Sequence, residues 1–397
     1  MLRLILRWHL LSYLRTLTDM KILAAMSGGV DSSVATARAV EAGHEVTGVY
    51  LALHANLASS DVPTGPIRGC GNPQDRIDAE RIAEQLGIDF YVWDYAEEFS
   101  AIVIKEFLGR YASGQTPNPC VYCNEHIKFA VLQRYALDNG YDAVATGHYA
   151  RILPHEGARY PGGGSEQVEL HRAVYRDKDQ SYVLSAIGNE MLSHALFPLG
   201  DMPSKEAVRE EAERRGLFVS SKPESFDICF IPDGDTIGFI RARLGAKPGE
   251  IRDESGSVLG EHAGAIGYTV GQRKGLGITV PAADGRPRYV LDVDVKENVV
   301  TVGPKELLAI TYIEGENPVW LAEELDVESG VEAMVQVRAH GRELPAHVRI
   351  SGDGVSEPRR MIVQLHEEVR GLPKGQSVVV YSGTRVIGQS VVASTAR

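Results

Sequence analysis

The chain has only four cysteines among its 397 residues. Small secreted domains that depend on disulfides need a much higher density, so we expect a cytoplasmic protein whose thiols stay reduced. No uncharged apolar stretch reaches about 18 residues, the length that a membrane-spanning helix needs. Acidic residues outnumber basic ones by 53 to 41, which gives a net charge of −12. This charge argues against indiscriminate binding to nucleic acid, although local patches could still hold a structured RNA.

The first 19 residues are apolar, but Arg7, His9 and Arg15 interrupt them, and no small-residue cleavage site follows. This pattern does not fit a secretory signal peptide. Met20 directly precedes the first predicted strand. We therefore interpret residues 1–19 as an N-terminal extension that lies outside the first domain.

From residue 20 to about residue 215, predicted strands alternate with predicted helices. Glycines stand just beyond several helix ends, where C-terminal caps are common. The predicted strands cover residues 22–26, 45–53, 89–94 and 143–146, and the predicted helices cover residues 32–42, 75–86, 100–111, 124–138 and 205–215. This alternation is typical of an α/β fold with a doubly wound parallel sheet.

Beyond about residue 232 the pattern changes to strands and turns. Residues 289–302 alternate apolar and polar side chains, with a predicted hairpin turn at Glu297 and Asn298. Further strands are predicted at residues 331–338, 347–350, 360–365 and 376–381. We therefore expect an α/β domain over residues 20–230, a small β-rich domain over 231–303 and a C-terminal β-barrel over 304–397.

The most informative segment is SGGVDSS, residues 27–33, between the first predicted strand and the first predicted helix. Its two glycines allow a sharp turn and a close approach of the backbone to a ligand. Amide N–H groups at the start of the helix, together with the serine hydroxyls, form a concave site for an anion. No Gly-Lys-Ser/Thr sequence follows, so this is not a phosphate loop of the Walker type.

Two segments place cysteines where sulfur chemistry is plausible. In TPNPCVYCNEHIKF, residues 116–129, we expect Cys120 and Cys123 on a loop and a helix that begins near Asn124. A helix N-terminus favours the thiolate and so makes a cysteine a better nucleophile. In KPESFDICFIP, residues 222–232, Cys229 lies in a short apolar segment that resembles a strand.

Several motifs together resemble one family. The SGGVDSS loop is similar to the SGGxDS loop of ATP pyrophosphatases, which split ATP into AMP and pyrophosphate. The full set of motifs comprises AMSGGVDSS, TPNPCVYCNEHIKF, ATGHYAR, RDKDQSYVLS, SFDICFIPDGD and GYTVGQRKGLGI. Together these motifs resemble the tRNA-specific 2-thiouridylase family. The resemblance implies an ATP-dependent exchange of the C2 oxygen for sulfur on the wobble uridine (position 34) of tRNA. It also implies an ATP pyrophosphatase domain followed by β-rich domains.

The resemblance assigns roles by position. Cys123 matches the nucleophile and Cys229 the cysteine that carries a persulfide, with a transient disulfide between them. The residues that match the ATP site, with Leu51 at the adenine, are Ala25, Met26, Ser27, Gly28, Gly29, Val30, Asp31, Ser32, Leu51 and Gly147. The residues that match contacts to tRNA or to the target base are Asn118, Pro119, Cys120, His148, Lys178, Asp179, Gln180 and Gln376.

The same resemblance implies partners. It implies the anticodon stem-loop of tRNA as substrate and a separate protein that donates persulfide sulfur. Mg²⁺ is expected beside the ATP phosphates, although no ligand set is visible in the sequence.

One position departs from the family pattern. Many relatives carry Asp where this chain has Cys120, so a carboxylate cannot transfer protons there. We therefore assign Cys120 no catalytic role beyond lining the site of the base. In the last domain, a basic group is a candidate for RNA contact, and it comprises Arg338, His340, Arg342, His347 and Arg349. Arg273 and Lys274, on the Gly-rich turn of GYTVGQRKGLGI, are a second candidate.

Other interpretations remain open at this stage. Cys70, Cys120, Cys123 and Cys229 could form a structural zinc site, although Cys-x-x-Cys supplies only half of one and Cys70 is more simply a loop thiol without a role. The adenylating fold could act on a small-molecule acceptor. The chain could also be a non-catalytic RNA-binding or sulfur-relay protein, although the intact ATP loop speaks against this.

Overall fold

The computed structural model describes residues 20–53, 73–155, 168–223, 228–231, 233–278 and 285–397. The N-terminal extension and Cys70 lie outside the described residues. The described chain forms two compact units. The first contains the described residues up to Ser100, residues 121–233 and residues 384–386; the second contains residues 101–120, 234–383 and 387–397.

The first unit contains a five-stranded parallel sheet. Its strands are β1 (Lys21–Ala25), β2 (Glu45–Ala52), β3 (Asp89–Asp94), β4 (Ala143–Ala145) and β7 (Ala195–Leu196), in the order β3-β2-β1-β4-β7. The register pairs Ala25 with Val49 and Ile22 with Ala143. The four predicted strands agree with β1 to β4 to within one residue at either end, whereas β7 was not predicted.

Helices cover both faces of this sheet, as expected for a doubly wound fold. On one face, Leu23, Val49 and Val144 pack with Leu132 and Ala136 of a helix. On the other face, Ile22 and Ala24 pack with Ala39 of a different helix. The helices of this unit are α1 (Val30–Glu41), α2 (Pro73–Leu86), α3 (Ala96–Phe99), α5 (Pro119–Cys123, which begins in the second unit), α6 (Ala130–Asp138), α7 (Ser181–Leu184), α8 (Asn189–Leu192) and α9 (Lys205–Arg214).

Shorter helical segments and a hairpin complete the first unit. Asn124–Phe129 is a π-helical turn that joins α5 to α6, and Arg176–Lys178 and Phe218–Ser221 are 3₁₀ turns. The sequence analysis did not predict the hairpin of β5 (Ala150–Pro154) and β6 (Val168–Arg172). In strand β6, His171 pairs with Arg385.

The second unit contains two β-structures. A four-stranded sheet has the order β10-β11-β8-β9 and buries Ile251, Val290 and Val300. Its strands are β8 (Gly249–Asp253), β9 (Val258–His262), β10 (Tyr289–Asp294) and β11 (Val299–Gly303), and the turn between the last two contains Asn298 at a φ of +53°. The small β-rich domain that the sequence predicts is therefore confirmed.

Six further strands close into a barrel in the order β12-β15-β14-β13-β16-β17, with β17 returning to β12. They are β12 (Ala309–Trp320), β13 (Val331–Gln336), β14 (Leu344–Ser351), β15 (Arg360–Arg370), β16 (Ser377–Ser382) and β17 (Arg385–Ala396). Val335, Val348 and Val380 lie in its core. The predicted C-terminal barrel is confirmed, although β12 and β17 escaped prediction.

The remaining helical segments of the second unit are α4 (Lys105–Ala112), α10 (Thr236–Leu244), the rest of the π-helical turn Ser100–Ile104, and the 3₁₀ turns Ala265–Gly267 and Lys305–Leu308. None of the helices in the described ranges is long and apolar enough to cross a membrane.

A polar cluster fixes α9 to α1. Glu211 accepts hydrogen bonds from Arg38 Nε (2.8 Å) and from Arg215 Nε (3.0 Å), and its side chain is only 7% exposed. Burial alone would raise the pKa of Glu211, but the hydrogen bonds and charges of Arg38 and Arg215 outweigh burial and lower it. The charged form of Glu211 is therefore more stable in the folded protein than in the unfolded chain.

We predict that Glu211→Gln lowers the free energy of unfolding by about 2 kcal/mol at pH 7, because it leaves the half-buried Arg38 without its carboxylate partner. A carboxyl whose pKa is lowered on folding stabilises above its unfolded pKa of about 4.3 and loses this effect as pH falls through the folded value. The difference between wild type and variant should therefore shrink below about pH 4, as measured by urea denaturation at several pH values. The exposed Glu213→Gln on the same helix is the control, and an equal effect of both substitutions would contradict the account.

Candidate functional site

The loop at residues 27–33 lies at the carboxyl edge of the parallel sheet, between β1 and α1. Gly28 has a φ of +70°, a conformation that favours glycine. A Cβ atom at Gly28 would also lie 2.0 Å from the backbone oxygen of Asp75, at the start of α2. Both the backbone angle and the close packing therefore require glycine at this position.

Two serine side chains of the loop form hydrogen bonds to the carbonyl group of Gly29. Ser33 Oγ donates to Gly29 O (2.8 Å), and Ser32 Oγ also donates to it (3.2 Å). Ser32 Oγ in turn accepts a hydrogen bond from Ser27 N (3.1 Å). The first N–H groups of a helix have no acceptor within the helix, so this end of α1 presents donors to an anion.

Two other residues of the predicted nucleotide site lie at the same edge. A Cβ at Gly147 would lie 2.7 Å from Ser32 N, so the segment after β4 packs directly on the start of α1. Leu51 follows the β2 residue that pairs with Ala25 by two positions. The topology thus brings Leu51, Gly147 and the loop to one edge of the sheet.

The Asp31 carboxylate is bound by two residues that the sequence analysis did not identify. Lys205 Nζ lies 2.6 Å from each of its oxygens, and Tyr149 OH donates to Oδ1 at 2.7 Å. The Lys205 side chain is buried, whereas that of Asp31 is one-third exposed. Ser204, which precedes Lys205, caps α9 by accepting a hydrogen bond from Ala207 N. This cap marks the start of the helix but gives no sign of the contact between Lys205 and Asp31.

A third unpredicted residue contacts the loop itself. Lys222 Nζ donates to Gly28 O at 2.8 Å and forms ion pairs with Asp75 (2.7 Å) and Asp78 (2.5 Å). Burial alone would lower the pKa of Lys222, but its hydrogen bonds to the two carboxylates raise it. Lys222 is therefore charged at physiological pH.

The segment around Cys123 is helical, and the prediction of a loop before Asn124 is wrong. Helix α5 begins at Pro119, a residue that suits the first helical position because its φ is fixed and it lacks an N–H. Asn118 Oδ1 accepts a hydrogen bond from Cys120 N at 3.1 Å. Cys123 is 5% exposed and Cys120 is half-buried.

Cys229 also differs from its prediction in local structure. Residues 228–231 form a bend and a turn rather than a strand. Cys229 is half-buried, and the neighbouring Phe230 packs its ring against Phe99 with centroids 5.8 Å apart. Cys120, Cys123 and Cys229 are all present as thiols, and Cys123 and Cys229 lie in the same unit.

In the second unit, a barrel loop holds the segment that precedes Cys120. Gln376 Nε2 donates to Thr116 O at 2.6 Å, and Thr116 N donates to Lys374 O at 2.8 Å. Gln376 therefore contacts the backbone of Thr116, which lies two positions before Asn118 in the sequence. The structure thus brings together two parts of the predicted tRNA contact that are remote in sequence.

The predicted contact residue His148 has a perturbed environment. Burial of its ring, together with repulsion from Lys128, lowers the pKa of His148 to about 3. The ring lies near Phe129 and Phe197, and its Nδ1 is 2.8 Å from Thr146 Oγ1. A neutral imidazole can stack or share a hydrogen bond, but it adds no charge for a phosphate.

The segment 178–180 divides into different environments. The Asp179 carboxylate is buried and accepts from Arg172 Nη1 (2.9 Å) and Ser181 Oγ (2.8 Å). Gln180 exchanges hydrogen bonds with the backbone of Tyr149. This geometry favours a positioning role for Asp179, whereas Lys178 is half-buried in a 3₁₀ turn.

Four of the five basic residues in the barrel are exposed and His347 is half-buried, and acidic side chains pair with two members of the group. Arg342 forms an ion pair with Glu367 (2.7 Å) and His347 with Glu332 (2.9 Å). Arg273 and Lys274 are exposed. RNA contact by these residues stays a prediction. Over the described part of the chain, no group of three His, Cys, Asp or Glu side chains is placed to hold a metal ion.

Comparisons with known proteins cover most of the chain. Three family models match it: the tRNA methyl transferase HUP domain at residues 20–233, the tRNA methyl transferase PRC-barrel domain at 237–304, and the aminomethyltransferase beta-barrel domain at 311–392. NMN synthetase from Francisella tularensis, a solved structure, matches 56% of this chain and 74% of its own at 17% identity, but its TM-score of 0.33 is too low to carry an argument.

Curated relatives are much closer. The tRNA-specific 2-thiouridylase MnmA of Beutenbergia cavernae is 55% identical over 380 residues, which cover 95% of this chain and 96% of the relative. The protein of the same name from Kineococcus radiotolerans is 54% identical over 377 residues, which cover 95% and 99%. With identity at this level over almost the full length of both relatives, the chain belongs to the tRNA-specific 2-thiouridylase family.

Proposed function

We propose that the protein is a tRNA-uridine 2-sulfurtransferase, which uses ATP to convert the wobble uridine of tRNA to 2-thiouridine. The observation that carries this proposal is the anchored 27–33 loop in the same unit as Cys123 and Cys229. Family membership supports the substrate class. The division at residues 20–230, 231–303 and 304–397 also stays a proposal, supported by the three family matches.

The first step activates a poor leaving group. The C2 oxygen of uridine attacks the α-phosphorus of ATP, and pyrophosphate departs. Amide N–H groups of the 27–33 loop and of the first turn of α1 stabilise the negative charge that develops on the departing phosphates. Leu51 contacts the adenine, and Gly147 leaves the α1 end open by having no side chain.

The second step transfers sulfur. A donor protein loads Cys229 with a persulfide. In one route the terminal sulfur attacks C2, and Cys123 then attacks Cys229 Sγ, which breaks the S–S bond and leaves the terminal sulfur on C2. In the other route Cys123 attacks Cys229 Sγ first and displaces hydrosulfide, which then attacks C2. In both routes AMP leaves and a Cys123–Cys229 disulfide forms, which a cytoplasmic thiol reductant must reduce before the next cycle.

Mg²⁺ beside the ATP phosphates stays a proposal that rests on the nucleotide substrate. It commonly binds one or two carboxylates together with substrate phosphates and waters. Asp31 is the carboxylate of the loop, but Lys205 Nζ lies 2.6 Å from both of its oxygens and Tyr149 OH donates to one of them. The loop in this arrangement does not fit Mg²⁺, and no step of the proposed reaction is assigned to the ion.

The target base is recognised outside a helical stack. Bases of the anticodon loop are already splayed, so exposing one costs roughly a few kcal/mol at most. We propose that Asn118, Pro119 and Cys120 face the base. His148, the segment Lys178, Asp179 and Gln180, and Gln376 contact the tRNA. The barrel loop that holds Thr116 supports this assignment because it fixes the backbone ahead of Asn118.

We predict that Cys229→Ser abolishes 2-thiouridine formation when a protein persulfide is the sole sulfur source. The same variant should still release pyrophosphate in a tRNA-dependent single turnover, since activation of C2 does not need this thiol. Mass spectrometry of tRNA nucleosides and a pyrophosphate assay measure the two steps. Cys70→Ser is the control and should keep both. Formation of 2-thiouridine by Cys229→Ser, or pyrophosphate release that ignores tRNA, would contradict the proposal.

We also predict that Gly147→Ala lowers kcat/KM for ATP by about 100-fold, because its methyl group would displace the start of α1 from the phosphates. Steady-state kinetics with varied ATP measure the effect. Gly188→Ala is a matched control in the same unit, since Gly188 has a negative φ and nothing within 4 Å of an added Cβ. Wild-type kinetics in Gly147→Ala would show that the phosphates bind elsewhere.

A further inference from the structure

Lys222 joins the 27–33 loop to a distant part of the chain. Its ammonium group donates to Gly28 O at 2.8 Å, across 194 positions in sequence. Gly28 is the loop residue with positive φ. A side chain that bonds to a backbone oxygen at such a position restricts the orientation of the whole peptide group.

Because the peptide bond is planar, this contact also fixes the direction of a hydrogen-bond donor, the N–H of Gly29. A trans peptide is planar, and its C=O and N–H point in opposite directions. When Lys222 holds the Gly28 carbonyl, the N–H of Gly29 must point to the opposite side of the loop. Ser32 and Ser33 hold the next carbonyl group, that of Gly29. By the same reasoning, the N–H of Val30 must point away from these two hydroxyls.

Lys222 is itself held firmly. Asp75 and Asp78 bind its ammonium group at 2.7 and 2.5 Å, and Gln74 Nε2 donates to the second oxygen of Asp78. Arg209 Nη2 donates to the backbone oxygen of Lys222 at 2.9 Å. Both the backbone and the side-chain end of Lys222 are therefore fixed.

We propose that Lys222 is a positioning residue for pyrophosphate departure: it holds the Gly28 carbonyl so that the Gly29 N–H faces the phosphates. This inference rests on the proposed function, in which that loop binds the triphosphate. Lys222 acts through the backbone and does not touch the phosphates. The two serines carry out the same task for the next peptide group.

The alternative is that Lys222 contributes only its positive charge. Lys222, Asp75 and Asp78 have a formal net charge of −1. Lys222→Met would lower this formal charge to −2, and the added negative charge would repel ATP. The double variant Lys222→Met/Asp78→Asn restores the charge of −1 but not the contact to Gly28. It also avoids leaving two unpaired carboxylates at a half-buried site, which guards against misfolding.

The experiment compares wild type, both variants and the exposed control Lys21→Met in the full-length protein. Steady-state kinetics give kcat and KM for ATP in tRNA-dependent pyrophosphate release, inhibition by added pyrophosphate gives its affinity, and thermal melting checks the fold. We expect kcat/KM for ATP to fall by about 100-fold in both Lys222 variants, as for loss of one oriented backbone donor. Inhibition by pyrophosphate should weaken at least tenfold in both.

Recovery of near-wild-type kinetics in the double variant would overturn the proposal in favour of charge alone. Wild-type kinetics in folded Lys222→Met would overturn it outright. Failure of the proposed function has a different signature, because wild type and Lys21→Met would then release no pyrophosphate in response to tRNA.

Discussion

The proposed chemistry depends on one constraint, the fixed orientation of two consecutive peptide groups in the 27–33 loop. Ser32 and Ser33 hold the Gly29 carbonyl, and Lys222 holds the Gly28 carbonyl. Donors that are already oriented need no reorganisation when charge develops, and this gives them their effect on a reaction rate. The glycine at position 28 is needed because a side chain there would collide with the start of α2.

Ion pairs also fix the elements that support this loop. Lys205 and Tyr149 bind Asp31, Glu211 joins α9 to α1, and the Asp179–Arg172 pair anchors the segment that also contacts Tyr149. Breaking a buried pair leaves an uncompensated charge, so each of these contacts resists displacement. In the second unit, Gln376 and Lys374 fix Thr116 through its backbone. The predicted contacts near the 27–33 loop are thus fixed by residues of the first unit, and those near Asn118 by residues of the second unit.

Local patterns predicted the parts of the fold in which sequence neighbours interact. The apolar run of β1, the glycine loop and the apolar spacing of α1 were all readable, and so was the hairpin turn at Asn298. The start of α5 was missed although Asn118 and Pro119 carry the signals of a helix start. Lys205 and Lys222 could not be found, because their partners Asp31 and Gly28 lie 174 and 194 positions away. Asp179 is polar in sequence yet buried, since Arg172 neutralises it.

In the proposed reaction, ATP activates the C2 oxygen of uridine as an adenylate while the 27–33 loop releases pyrophosphate. The most direct measurement uses tRNA whose wobble uridine carries ¹⁸O at C2, turned over once with ATP and a persulfide donor. Mass spectrometry of the nucleotide product then locates the label. The proposed reaction places ¹⁸O in the phosphate of AMP, in an amount equal to the 2-thiouridine formed. Label found in water or in inorganic phosphate, or ADP as the nucleotide product, would contradict it.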